Sequence, residues 1–142
     1  MNLVSGEWHE GTITIDRAVS LLGDGIESTY IDGSETDTVI RIIDGADDVT
    51  IKNLTVQNGN KYGIRIGGKD ASEDYANLLL EDVGANGNGQ AGFFMDEGIL
   101  TDARIDHGRF NDNGEAGFKI GGEASVDGLT IHGGEFNDNG EH

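Results

Sequence analysis

The chain has no cysteine and no proline, and only nine lysines and arginines among its 142 residues. Without cysteine there is no disulfide framework, thiolate zinc site or cysteine nucleophile, and the redox compartment leaves no mark. The nine basic residues face 27 acids, a formal net charge of -18. Such a charge repels phosphate backbones, so nucleic acid is not an expected partner. No apolar run approaches the ~18 residues of a membrane span. The opening residues lack the basic start and apolar stretch of a signal peptide. Apolar residues make up 35% of the chain and charged ones only 25%, which is not the composition of a disordered tail. The length suits one domain over residues 1–142.

What the chain has in quantity is glycine, 24 residues, and an internal repeat. Asn111-Asp112-Asn113-Gly114-Glu115 returns as Asn137-Asp138-Asn139-Gly140-Glu141, and Ala91-Gly92-Phe93 returns as Ala116-Gly117-Phe118. Tyr62-Gly63-Ile64 is an earlier copy, and Val39-Ile40-Arg41-Ile42 fits the slot before it. Aligned columns run Ile51, Leu80, Ile105, Ile131; Leu54, Val83, Gly108, Gly134; and Val56, Ala85, Phe110, Phe136. Within a period the apolar residues alternate, as in Ile64-Arg65-Ile66, and a period of two means strand. Each strand is expected to run about three to five residues before Asn, Asp or Gly turns it. One repeat of roughly 25 residues cannot bury an apolar face alone, but a stack of them can. The expected fold is therefore all-β: a right-handed, single-stranded parallel β-helix of about five to six coils.

Two asparagine columns (Asn86, Asn111, Asn137 and Asn88, Asn113, Asn139) are expected at turns, where their amides can bridge coils. Phe93 over Phe118 and Phe110 over Phe136 are expected as internal stacks. Loops are expected over residues 33–37 and 67–74, the second protruding. Neither end reads as capped: residues 4–8 resemble the middle of an opening strand, and Glu141-His142 stops part-way through a coil. The expectation is a fragment of a longer protein, or a chain that self-associates end to end through open coil edges.

Glu10-Gly11-Thr12-Ile13-Thr14-Ile15-Asp16, Val19-Ser20-Leu21-Leu22-Gly23 and Thr29-Tyr30-Ile31-Asp32-Gly33 are similar to the opening coils of NosD-like proteins. Those belong to the pectin-lyase-like right-handed β-helix superfamily with its PbH1 repeats. The resemblance covers nearly the whole chain and implies an extracellular or cell-surface protein. It implies acidic polysaccharide as the partner, and, for an enzyme, lyase or epimerase chemistry. A NosD-type role in metal delivery rests on fold resemblance alone. The mannuronan C5-epimerase motif Tyr-Gly-Phe-Asp-Pro-His is incomplete: Tyr62-Gly63-Ile64 continues as Arg65-Ile66. The calcium nonapeptide is not completed by Gly67-Gly68-Lys69-Asp70 or Gly121-Gly122-Glu123-Ala124, so no cofactor is expected.

Alternation places Arg41, Arg65, Phe94 and Lys119 in one outward column, three of the nine basic residues around an aromatic ring. With coils ~4.8 Å apart, cations can pair with uronate carboxylates while the ring stacks on a sugar. These four are the candidate substrate-binding residues. Equally, the cations can offset repulsion on an acidic surface. A second outward column holds Lys52, Glu81, Asp106 and His132, with His107 beside it; these are acid, base and ligand types, but also ordinary cross-strand charge pairs. No catalytic residue stands out, and the serines lie in no nucleophile motif. Residues 44–48 and 70–74 carry acids of the kind Ca²⁺ takes. Acids spread along the whole chain point rather to a halophilic protein hydrated at high salt. The expected function is an acidic-polysaccharide binding or processing module. The alternative is a non-catalytic structural solenoid such as a stalk, adhesin or tail-fibre segment.

Overall fold

The computed structural model describes residues 6–9, 11–33, 36–68 and 72–140, with the side chains of residues 7–9 excepted. The first residues of the expected opening strand, the middle of both expected loops (residues 34–35 and 69–71) and the last two residues lie outside the described ones. Among the described residues eleven strands follow in chain order: β1 Gly6–His9, β2 Ile13–Ile15, β3 Ser20–Leu22, β4 Thr29–Asp32, β5 Thr38–Ile42, β6 Thr50–Gln57, β7 Tyr62–Ile66, β8 Asp74–Ala76, β9 Leu79–Asn86, β10 Ala91–Asp106 and β11 Ala116–His132. Every pairing is parallel, and each strand pairs with its equivalent one coil away. The chain is a parallel β-solenoid of about 4 turns, slightly fewer than expected.

Three faces follow from the register. The first stacks Ile13, Ile40, Ile64, Phe93 and Phe118. The second stacks Leu21, Ile51, Leu80, Ile105 and Ile131. The third stacks β1, β4 and the ends of β6 and β9, extended by bridges from Gly84 to Arg109 and on to Glu135. Alternation turns every second side chain into one continuous core, where Ile40, Ile64, Ile66, Phe93, Leu80 and Ile105 have no exposed surface. Each such side chain contributes roughly 1.5–3 kcal/mol by leaving water. Phe93 stacks on Phe118 at 4.4 Å and Phe110 on Phe136 at 5.2 Å. In the last described coil the inward column is less covered: Ile120, Ile131 and Phe136 are 37%, 43% and 40% exposed, because no described strand lies beyond them.

Expected strand length holds for β1 to β5, β7 and β8 and fails for β6 and β9, which run 8 residues each, and for β10 and β11, which run 16 and 17. Their coils turn at the same places, so pairing between them continues around the bends. The bends account for some of the acids. Among the described residues ten non-glycine residues have positive φ, six of them Asp and three Asn, the types whose short polar side chains tolerate it. They stack by coil, as in Asn53, Asp82 and His107, or Asp48, Asn77 and Asp102.

The asparagine columns bridge coils as expected. Asn113 Oδ1 accepts from Asn88 N–H at 3.0 Å and from Asn88 Nδ2 at 3.1 Å, while its own Nδ2 donates to the Ala85 carbonyl and to Asn139 Oδ1. The outer column runs with opposite polarity: Asn111 N–H donates to Asn86 Oδ1, and Asn137 N–H to Asn111 Oδ1.

Candidate functional site

Arg41, Arg65, Phe94 and Lys119 are consecutive register partners on the first face, with Thr14 one coil before Arg41. Their flanking residues Ile64, Ile66, Phe93 and Met95 are fully buried, so alternation turns this column outward. Arg41, Arg65 and Phe94 are half-buried and Lys119 is exposed.

The column is an aromatic platform edged by cations. Tyr62, in the strand of Arg65, lays its ring on Phe94 at 4.6 Å and 21° between planes. The Arg65 guanidinium carbon lies 5.8 Å from the centre of the Tyr62 ring, and Lys119 Nζ 6.0 Å from that of Phe94. Both distances fall in the range of cation–π attraction. Two of the cations also have carboxylate partners. Arg65 Nη2 donates to Asp96 Oδ2, and Lys119 Nζ sits 3.4 Å from Glu115 Oε2. Among the described residues Arg41 forms no ion pair, and its buried Nε, like that of Arg65, has no hydrogen-bond partner. It lines a recess of about 170 Å³ with Ile43, Asp44, Gly68 and Glu73.

Behind that recess stands Tyr75, 1% exposed, whose hydroxyl donates to Glu73 Oε2 at 3.0 Å. Burial, followed by the hydrogen bond to Glu73, pushes its phenol up to about 12. It is therefore a hydrogen-bond donor that fixes Glu73 and not a base at neutral pH.

The second column also stacks as expected: Lys52, Glu81, Asp106 and His132 are register partners. Lys52 pairs with Glu81 at 3.1 Å, and Arg104 with Asp106 at 2.7 Å. His107 and His132 meet edge to face at 5.7 Å. A hollow of about 280 Å³ lies next to His107, lined also by Asp82, Arg109 and Glu135, but Arg109 is held by Glu27 and Glu135. Among the described residues no group of three or more His, Asp or Glu is placed to hold a metal ion. Two of the three acids of residues 44–48 serve the fold. Asp47 Oδ1 accepts from Ala76 N–H and Asp48 Oδ1 from Asn77 Nδ2, tying one coil to the next.

A family model described as a right handed beta helix region matches residues 38–142. The chain belongs to that family. Its parallel solenoid is thus a right-handed β-helix, as the repeat and the resemblance led one to expect. No curated protein and no solved structure matches the chain. Among the described residues no helix is long and apolar enough to cross a membrane.

Sequence reasoning missed three parts of the site. Tyr62 lies outside the alternating column, yet its ring reaches across to Phe94; its place beside Arg65 in a five-residue strand was the available signal. Asp96 lies two residues after Phe94, on the same side of β10 by alternation, and its carboxylate reaches diagonally to Arg65 on the neighbouring strand. The recess at Arg41 is closed by Gly68 and Glu73 from the longer coil, a contact no repeat alignment reveals.

Proposed function

We propose that this β-helix binds an acidic polysaccharide along the outward column of Arg41, Arg65, Phe94 and Lys119, as a binding or processing module that meets its polymer outside the cell. The observation that carries the reading is the Tyr62–Phe94 platform with a cation over each ring. An aromatic face takes the apolar face of a sugar, and a flanking Arg takes a carboxylate in two parallel hydrogen bonds. The rungs repeat every ~4.8 Å along the axis, so an extended polymer meets several of them at once. Asp96 and Glu115 then hold the cations in place and accept sugar hydroxyls. The test is an array of alginate, pectate and neutral polymers at low and high salt. Selective binding to uronates, weakened at least fivefold in Arg65→Ala, Lys119→Ala and Tyr62→Ala, supports the reading; equal binding to neutral polymers overturns it.

The second reading is a structural solenoid, a stalk, adhesin or fibre segment in which stacking is itself the function. The ion pairs Arg65–Asp96 and Lys119–Glu115 favour it, since they already neutralise two of the three cations. Under that reading the folded chain binds no glycan on the array, and the same three variants change nothing but stability.

A further inference from the structure

Of the ten non-glycine residues with positive φ among the described ones, nine are Asp or Asn and the tenth is His107. Its corner slot holds Asn53 two coils earlier and Asp82 one coil earlier. The bend itself therefore does not call for an imidazole. What distinguishes this corner is a second histidine. His132 ends β11 one coil on, and its carbonyl accepts the His107 N–H at 2.9 Å. The two rings meet edge to face with their centres 5.7 Å apart. Both residues are exposed, and among the described residues neither ring makes a hydrogen bond or an ion pair. Gly133 completes the seat. A Cβ there would lie 2.9 Å from His107 Cδ2, so a glycine leaves the ring its place over the next coil.

Two imidazoles with free nitrogens, on residues joined by a backbone hydrogen bond, can act as a chelate. With metal–nitrogen bonds of about 2.0–2.1 Å, two rings on one tetrahedral ion have centres about 5 Å apart. A small turn of either exposed ring closes the difference. Imidazole nitrogen suits zinc, nickel and copper ions, whereas calcium and magnesium take oxygen. The surroundings favour a cation. Asp82 and Glu135 line the hollow beside His107. Asp106 is the register partner of His132 and the chain neighbour of His107. Two protein ligands are fewer than the closed set of four in a structural zinc site, so the remaining positions go to water.

We propose that His107 and His132 form a two-imidazole site for a divalent transition-metal ion, which ties the last two described coils together. The site shares no residue with the glycan column, and the two readings stand or fall separately.

The experiment is a calorimetric titration of the whole chain with zinc chloride in 0.5 M sodium chloride, where diffuse attraction to the acids is screened. Zinc should bind at one ion per chain and shift the ring ¹⁵N resonances of His107 and His132 together. His107→Asn, which places in the corner the residue type of Asn53, and His132→Gln should each weaken zinc at least tenfold. Replacing His9 and His142 together by Gln should leave binding unchanged. Melts without metal establish that the variants fold. Saturating zinc should raise the melting midpoint of the natural chain by several degrees and that of neither single variant. Calcium or magnesium binding as tightly as zinc overturns the site, as does zinc binding that survives loss of either ring, because the acids then hold the ion. Zinc binding that depends on His9 or His142 instead, or no zinc binding at all, overturns it as well.

Discussion

Asn113 is 2% exposed, and its amide makes four side-chain hydrogen bonds to neighbouring coils. Each is worth a net ~1 kcal/mol, with more lost when a buried partner is left unsatisfied. Asn113→Ala should therefore cost about 2–4 kcal/mol in urea unfolding. Asn137 occupies the outer column and is exposed, so Asn137→Ala should stay within ~0.5 kcal/mol. Equal costs would mean that position in the repeat, not hydrogen bonding, sets the energy. Tyr75 makes a separate prediction about pH. Its folded value of about 12 lies above the ordinary tyrosine value of about 10, so the folded state keeps a proton that the unfolded chain releases. The neutral phenol's contribution is fully present below pH 10 and is lost as pH rises from 10 to 12, an amount of order 2 kcal/mol. Tyr75→Phe should lose less stability than the natural chain over that window; parallel pH curves would contradict the assignment.

At the scale of elements, coil-on-coil contact is tightest at a glycine column. A Cβ on Gly89 would lie 2.0 Å from the Asn60 carbonyl oxygen, one on Gly114 2.0 Å from that of Gly89, and one on Gly140 1.9 Å from that of Gly114. No flexible side chain can yield there, only backbone. Gly114→Ala should cost more than ~2 kcal/mol, whereas Gly122→Ala, with nothing within 4 Å, should be near neutral by the same urea titration. Register was legible in the sequence at this scale because the repeat aligns residues that must touch: the column Ile51, Leu80, Ile105, Ile131 is the observed pairing. Tyr62, Asp96 and Glu73 were not legible, since each acts through the reach of its side chain towards a neighbour that the repeat does not align with it. The corners were legible only in part. The Asn columns stand out in the repeat, while nothing in the sequence marks the turn role that positive φ gives Asp82 and Asp102.

For the whole molecule, a net charge of -18 opposes compaction, and that repulsion is screened as the Debye length shrinks from ~10 Å at 0.1 M salt to ~3 Å at 1 M. The urea midpoint should rise over this range, with most of the gain below 0.5 M; a flat or falling midpoint would mean that turn chemistry alone accounts for the acids. Glycan binding should show the opposite trend, weakening with salt as the cation–carboxylate contacts are screened. The two trends separate a charge that serves the fold from a column that serves a ligand.

The central claim is that the column of Arg41, Arg65, Phe94 and Lys119, with Tyr62, is a face for an acidic glycan. The most direct measurement is the dissociation constant of a galacturonate oligomer for the natural chain and for Phe94→Ala, each at 0.05 and 0.5 M salt. The account predicts measurable binding that weakens at least fivefold on losing the ring and again on adding salt. Binding that ignores both the ring and the salt would contradict it.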